Sequence, residues 1–233
     1  MSRLNNAFGP DPPLDPMANV QPWFPYPIYM AQLEGEELAQ IQAELMQMYR
    51  QQSARMSKHP NWERDTHSLT DPDFNCNVLV EFPCPTFINW ISRSLQDYLV
   101  TVGVEPQWAQ DYRISHSWCT LTRQHEFARM HDHGSVDISG VYYFQTTGED
   151  GNFYFKSPNN ELVHSYCFQN IPDSQDIKPQ VGQMIMWPGF LWHGTRVNTT
   201  PDERISISWN IYVKRWWQDP LFPQAQAESP KTD

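Results

Sequence analysis

The chain has 233 residues, of which 39% are hydrophobic and 14% aromatic, so it carries enough apolar material for one packed domain. Its formal net charge of -11 gives no support to an electrostatic attraction to nucleic acid or to an anionic membrane. The 4 cysteines form no C-x-x-C pair, and no stretch approaches the roughly 18 apolar residues of a membrane span. We therefore expect a soluble, cytoplasmic protein with reduced thiols that binds neither nucleic acid nor membrane.

The N-terminal segment is rich in proline. Residues 1–27 hold 7 of the 20 prolines, and each proline removes a backbone donor and restricts the residue before it. This composition predicts a proline-rich arm at 1–27, with a short strand at Pro25–Met30. Residues 28–217 are predicted to form a single domain, and 218–233 a C-terminal tail.

Two amphipathic helices are predicted before residue 105, because apolar residues recur there at spacings of three and four. The first stripe is Leu38, Ile41, Leu45 and Met48, and the second, beginning at about Pro85, is Ile88, Ile91, Leu95, Leu99 and Val102. Gly103 is a suitable stop for the second helix. Both stripes are interpreted as core packing.

From about Tyr112 the sequence changes to short β-rich runs separated by turn residues. The runs are ISHSWCTLT, DISGVYYFQ, GNFYFKS, QMIMW and RISISWNIYV. Several such strands at short intervals favour a sandwich or barrel-like sheet. The predicted class is α+β, mainly β, with the two helices packed on one outer face.

The segment MHDHGSVDIS is the first candidate for chemistry. In a strand, residues two apart point the same way, so His131 and His133 are predicted to share one face. His193, at the end of the run MIMWPGFLWHG, is the candidate third ligand, presented at the rim where a strand leaves the core. Three imidazoles on a sheet rim are typical of an iron site with open coordination positions.

The strand RISISWN is the second candidate. Arg204, Ser206, Ser208 and Asn210 are predicted to share one face, opposite Ile205, Ile207 and Trp209. Arginine suits a bidentate grip on a carboxylate, and an adjacent serine can donate one more bond. The pattern indicates a site for a small acid near the metal, or else an edge strand with a solvent-facing row.

The order of these motifs is similar to that of a known family. H-x-H-x-S followed by SGVYYF, then GNFYFxSP, then GQMIMWP with a later histidine, then ERISISWN, resembles iron(II)/2-oxoglutarate oxygenases found in bacteria and phages. More loosely, the similarity extends from about residue 23 to about Tyr212.

The resemblance implies a double-stranded β-helix, the cupin-like jelly roll, holding Fe(II) through His131, His133 and His193. It also implies 2-oxoglutarate as co-substrate, with its far carboxylate on Arg204 and Ser206 and with Tyr143 hydrogen-bonded to it. Oxidative decarboxylation of that co-substrate by O2 would then drive oxidation of a substrate C–H bond.

One position departs from the family pattern. Most such oxygenases have Asp or Glu two residues after the first histidine, where this chain has His133. Replacement of an anion by neutral imidazole raises the net charge of the iron site by about one unit. Asp132 and Asp137 remain alternatives as ligands, Asp137 is also a candidate partner of the histidines, and imidazole sites accept several metals.

Two other functions stay open. A three-histidine cupin-type dioxygenase would need no 2-oxoglutarate, and a non-catalytic jelly-roll binding protein would hold a structural metal or none. The substrate class is open between small molecule, amino acid and peptide.

Several aromatic residues have weaker assignments. Trp187 and Trp192 are predicted to form an apolar wall around His193, and His125 is expected in a solvated turn. Trp216 and Trp217 are interpreted as a core cap, a substrate lid or a homodimer contact. The other histidines are interpreted as structural.

Overall fold

The computed structural model describes residues 26–70, 75–107, 109–158 and 172–213. In chain order the elements are β1 (Tyr29–Gln32), α1 (Gly35–Gln52), β2 (Met56–Ser57), β3 (Ser68–Thr70), α2 (Val78–Glu81), α3 (Pro85–Thr101), β4 (Tyr112–Thr122), β5 (Ile138–Gln145), β6 (Phe153–Lys156), β7 (Ser174–Ile177), β8 (Gln183–Pro188), β9 (His193–Thr195) and β10 (Arg204–Val213). A 3₁₀ helix at Ser53–Arg55 joins α1 to β2.

The strands form two sheets, which is the jelly-roll arrangement expected from the family resemblance. The larger sheet has seven strands in the order β1-β8-β5-β10-β4-β3-β2, and the smaller has the order β7-β6-β9. Every named strand pairs antiparallel to its neighbours. The mainly β class is therefore confirmed.

Both predicted long helices are present, and they pack on one face of the larger sheet. Ile41, Leu45 and Met48 of α1 are buried, whereas Leu38 is only partly so. In α3, Pro85 lies in the first turn, where its missing N–H costs nothing, and Gly103 follows the helix with φ +95°.

The predicted stripe of α3 was incomplete. Val102 is 42% exposed, while Phe87, Trp90 and Tyr98 are buried against the sheet. The short helix α2 and the strands β2, β3, β7 and β9 were not predicted. Each has four residues or fewer, which is too short for a periodic pattern to show.

Strand β10 lies at the centre of the larger sheet, between β5 and β4, and it coincides with the run RISISWNIYV. Ile205, Ile207 and Trp209 pack toward the helices. A Cβ on Gly140 of β5 would overlap the Trp209 indole, so the neighbouring strand must have glycine here to admit the ring. The opposite face of β10 is left for polar side chains.

A second apolar cluster lies on that opposite face of the larger sheet. Its buried members are Val141, Tyr143, Phe153, Phe155, Ile185, Trp187 and Leu191. They come from β5 and β8 of the larger sheet, from β6 of the smaller sheet, and from the segment after β8. The polar face of β10 is therefore enclosed between the two sheets.

The N-terminal strand begins at Tyr29, later than the predicted Pro25, because its pairing with β8 runs only from Tyr29 to Gln32. The proline-rich arm up to residue 25, the tail after 213, His164, and the Trp216–Trp217 pair lie outside the described residues. None of the described helices is long and apolar enough to cross a membrane.

Candidate metal and co-substrate site

The structure brings together the three histidines singled out in the sequence. The side-chain nitrogens of His131, His133 and His193 that would bind a metal all lie within 4.8 Å of one another. The ring centroids are 4.3 Å apart for His131 and His193, 5.0 Å for His133 and His193, and 5.1 Å for His131 and His133. This spacing suits one metal ion bound by three imidazoles.

The local structure around the histidines differs from the prediction. His131 and His133 do not lie in a strand; His131 forms an isolated antiparallel bridge with His193, the first residue of β9. The His131 amide donates to the His193 carbonyl at 2.9 Å, and the reverse bond measures 2.8 Å. The His133 amide donates to the Gly189 carbonyl at 2.8 Å. Pairing with the segment after β8, rather than strand alternation, aligns the two side chains.

Each imidazole is oriented by an acceptor at Nδ1. The Nδ1 of His131 lies 2.6 Å from the Arg129 carbonyl, and that of His193 lies 2.8 Å from the Leu191 carbonyl. The Nδ1 of His133 lies 2.5 Å from Asn210 Oδ1. A carbonyl oxygen can only accept, so each ring carries its proton on Nδ1 and leaves Nε2 free as a metal ligand.

Burial keeps these rings in the neutral form that binds metal. Desolvation lowers the pKa of His193 well below its ordinary value, and the neighbouring histidines lower it further. The pKa of His133 is lowered to about 4, and that of His131 is also lowered, in both cases mainly by desolvation. At neutral pH no proton has to leave before a metal can bind.

The three histidines line a small cavity between the two sheets, called the smaller cavity below. Arg204 lines its other end and is only 2% exposed. Its Nη1 donates to the Asp150 carbonyl at 2.8 Å and to the Gly151 carbonyl. Its Nη2 donates to Thr195 Oγ1 at 3.0 Å and to Thr122 Oγ1 at 3.3 Å. Because both threonine hydroxyls accept from the guanidinium, their own protons are available to donate to an anion in the cavity.

Two further groups, the hydroxyls of Tyr143 and Ser206, make the arginine end of the smaller cavity suitable for a carboxylate. The Tyr143 hydroxyl is fully buried and has no hydrogen-bond partner within the described residues. Ser206, 7% exposed, lines the same cavity. An unpaired buried hydroxyl costs about 1–3 kcal/mol, and a carboxylate held by Arg204 would remove that cost. The residues therefore fit a small acid reaching from the histidines to Arg204, as 2-oxoglutarate would.

The sequence analysis assigned no role to Asp150, the acidic residue beside Arg204. Asp150 is fully buried with an oxygen 3.9 Å from Nη1, and it accepts from the Thr146 hydroxyl and the Thr147 amide. Gly151 follows with φ +98°, where a Cβ would overlap the Arg196 carbonyl oxygen. The GED turn that was interpreted only as a strand connection thus holds the arginine in place.

Among the described residues, neither Asp132 nor Asp137 belongs to the cluster of ligand atoms that the three histidines form. Asp132 Oδ1 accepts from the Gly134 amide at 2.8 Å, and Asp137 Oδ2 accepts from the Val213 amide at 2.8 Å. Asp137 therefore fastens the end of β10 and is not a partner of the histidines, so that expectation was wrong. Among the described residues, the metal-ligand cluster contains no carboxylate.

Asn210 was predicted to line the small-acid site together with Arg204 and Ser206, but its side chain contacts His133 instead. Its Oδ1 accepts from the Ser139 hydroxyl at 3.0 Å as well as from His133. A register shift in the β10–β4 pairing falls between Asn210 and Ile211. The amide thus orients a metal ligand, whereas Arg204, Ser206 and Ser208 line the cavity with Tyr143.

Of the two tryptophans predicted to form an apolar wall around His193, only Trp187 does so. Trp187 is 2% exposed, and its ring centroid is 4.7 Å from that of His193. Trp192 is 47% exposed, so the prediction that it shields the site was wrong. His125 is exposed at φ 69°, as expected for a turn residue.

A larger cavity of about 400 Å³ adjoins the smaller one, and His131 and His133 line both. The residues lining it are Trp62, His67, Leu69, Cys76, His116, Trp118, Arg129, His131, Asp132, His133, Val136, Asn210 and Tyr212. Its volume is in the range of small-molecule sites. Two histidines assigned only structural roles, His67 and His116, therefore line this cavity.

Comparison with known proteins agrees with this geometry. Residues 116–210 match the family described as "Putative 2OG-Fe(II) oxygenase". No curated protein sequence matches the chain.

Several solved structures share the fold. The alpha ketoglutarate dependent carbocyclase SnoK of nogalamycin biosynthesis is 8% identical, with a TM-score of 0.54 over 80% of this chain and 79% of that one. HygX from Streptomyces hygroscopicus, with nickel, 2-oxoglutarate and hygromycin B bound, is 15% identical, with a TM-score of 0.50 over 80% and 82%. A prolyl hydroxylase from Trichoplax adhaerens, in complex with a hypoxia inducible factor peptide, is 10% identical, with a TM-score of 0.51 over 81% and 84%.

Proposed function

We propose that the chain is an iron(II)- and 2-oxoglutarate-dependent oxygenase that hydroxylates a C–H bond of a small molecule, amino acid or peptide bound in the larger cavity, and the match of residues 116–210 to the 2OG-Fe(II) oxygenase family supports this proposal. The observation that carries the proposal is the shared wall. His131 and His133 line both cavities, so a metal held there would face the co-substrate on one side and the substrate on the other.

Each residue has a definite part in this proposal. His131, His133 and His193 would hold Fe(II) through Nε2, and Arg204 would bind the far carboxylate of 2-oxoglutarate. The hydroxyls of Tyr143, Ser206, Thr122 and Thr195 would complete that carboxylate site. When bound, Fe(II) would activate O2, and 2-oxoglutarate would supply part of the electrons that reduce it, being oxidised to succinate and carbon dioxide while the substrate C–H bond supplies the rest.

The protein's own contribution is orientation and exclusion of water. The Nδ1 acceptors fix the three rings, and Trp187, Phe153 and Phe155 pack around His193. Proteins of this fold differ in what they act on, since they include a carbocyclase of nogalamycin biosynthesis and a prolyl hydroxylase in complex with a peptide. Both substrate classes therefore remain within the proposal.

One observation favours a second candidate. Because the described metal cluster contains no carboxylate, its ligand set equals that of a three-histidine dioxygenase that needs no keto acid. The buried Arg204 with its unpaired Tyr143 hydroxyl favours the 2-oxoglutarate reaction.

Oxygen uptake separates the two candidates. Fe(II)-loaded protein should consume O2 only when 2-oxoglutarate is added, and one succinate should appear for each keto acid lost. Oxygen uptake at the same rate without 2-oxoglutarate would overturn the proposal and support the keto-acid-independent dioxygenase.

A further inference from the structure

The larger cavity combines flat apolar walls with one cation and one anion. Trp62, Trp118 and Tyr212 contribute aromatic rings, and Leu69 and Val136 add aliphatic surface. The Trp118 ring stacks on His133 with centroids 5.8 Å apart, so the apolar wall reaches the metal ligands. A ligand with an unsaturated or ring-shaped apolar body would bury surface against these walls without leaving polar groups unpaired.

The two charged side chains of the cavity are not equivalent. Asp132 already accepts the Gly134 amide, which stabilises its carboxylate within its own loop. The side chain of Arg129 has no ion pair and no hydrogen bond among the described residues, although it lines the cavity. The cavity thus has a cation available for a ligand and an anion that is already engaged.

The position of Arg129 also suits a ligand that must lie beside the metal. Its backbone carbonyl accepts from His131 Nδ1, so its side chain starts two residues from a metal ligand. Guanidinium recognises carboxylate with two parallel hydrogen bonds, which fixes orientation as well as position.

We propose that the substrate is a carboxylic acid with an apolar, ring-sized body, whose carboxylate is bound by Arg129 at the mouth of the larger cavity. This inference rests on the proposed function, because it takes the larger cavity to be the substrate side of the metal. Arg129 sets the end of the molecule that stays outside, and the aromatic walls direct the apolar body toward His133.

Three probes with the same phenyl ring test the charge preference: 3-phenylpropionate, 3-phenylpropionamide and 3-phenylpropylamine. Each is titrated calorimetrically into the anaerobic Fe(II)·2-oxoglutarate complex, whose visible absorption reports that the co-substrate stays bound. The acid should bind about fivefold more tightly than the amide or the amine, as expected for one charged pair at the exposed Arg129. Failure of the absorption band to form would contradict the proposed function, whereas probe binding reports on this inference.

Two matched variants locate the preference. Arg129→Gln keeps the backbone carbonyl that His131 needs and should lower the affinity for the acid to that for the amide, with the amide unchanged. Arg93→Gln, on α3 outside the cavity, should leave all three affinities unchanged. The inference is overturned if the amine binds most tightly, if Arg129→Gln leaves the acid unaffected, if no probe binds, or if the acid displaces 2-oxoglutarate.

Discussion

The two ends of the smaller cavity are built in different ways. At the arginine end, Arg204 and Ser206 lie on β10, the central strand of the larger sheet, and both pair with β4, whereas the pairing with β5 begins at Ile205 and shifts register before Ser206. At the histidine end, two ligands lie in an irregular segment and the third begins a strand of only three residues. Pairing of β10 with β4 positions the residues of the first end, whereas isolated backbone bonds and acceptors at Nδ1 position those of the second.

The two ends are alike in charge. The histidine end contributes three neutral rings and no described carboxylate, so a bound Fe²⁺ would keep its full charge. At the arginine end the nearest anion is Asp150, 3.9 Å away in the one close approach. A dianion that spans the cavity, as proposed for 2-oxoglutarate, would place negative charge at both ends.

The largest effect is expected at the histidine end. His193→Asn removes one of three ligands and should lower the affinity for Fe(II) by more than about 100-fold, since even the loss of a partner behind a ligand costs 10–100-fold. Anaerobic calorimetry with Fe(II) measures it. His125→Asn is the matched control, because His125 is an exposed turn residue at φ 69° that asparagine tolerates. Equal affinities in the two variants would contradict the ligand assignment.

The next effect is expected at the arginine end. Arg204→Lys keeps the charge beside Asp150 but loses the planar fork, so the affinity for 2-oxoglutarate should fall by up to about 100-fold with Fe(II) affinity unchanged. Calorimetric titration of the iron-loaded protein with 2-oxoglutarate measures it. Arg196→Lys, at an exposed arginine paired with Asp176, serves as control. An unaltered co-substrate affinity in Arg204→Lys would exclude this end as the carboxylate site.

A smaller effect tests the orientation of His133. Asn210→Ala removes the acceptor of the His133 Nδ1 proton and should lower Fe(II) affinity by about 20-fold, because a free ring samples unproductive orientations. Asn152→Ala, whose amide contacts Asp176 outside the cavity, should leave Fe(II) affinity unchanged. Wild-type affinity in Asn210→Ala would mean that the backbone bond from His133 to Gly189 is enough to orient the ring.

The smallest effect compares two adjacent tyrosines on opposite faces of β5. Tyr143→Phe removes a hydroxyl that has no described partner, so stability should be kept while 2-oxoglutarate affinity falls by about tenfold. Tyr142→Phe loses the bond from Gln42 at 3.2 Å and should lower the free energy of unfolding by about 1 kcal/mol with co-substrate affinity unchanged. Denaturation and calorimetry on both variants measure this, and the reverse pattern would place the co-substrate elsewhere.

The arginine end could be predicted well because strand alternation depends only on local geometry. The run RISISWNIYV has a strict period of two, and Arg204 and Ser206 face the cavity as that period requires. Tyr143 was predicted from the family resemblance alone, and the structure places it in the same cavity.

The histidine end was predicted by residue type but not by local structure. His131 and His193 approach through backbone pairing between segments 62 residues apart, which no local pattern reveals. Similarly, the bonds from Arg204 to Asp150 and from His133 to Asn210 join positions 54 and 77 residues apart. Such contacts depend on sheet register, so their absence from the sequence-based prediction has a physical cause.

The most direct test of the central claim is an anaerobic titration of the iron-loaded protein with 2-oxoglutarate, followed by the visible charge-transfer absorption of a chelated keto acid. The band should appear in the wild type, be lost in His193→Asn, and require more 2-oxoglutarate in Arg204→Lys. A wild-type protein that binds Fe(II) yet never develops the band would contradict it.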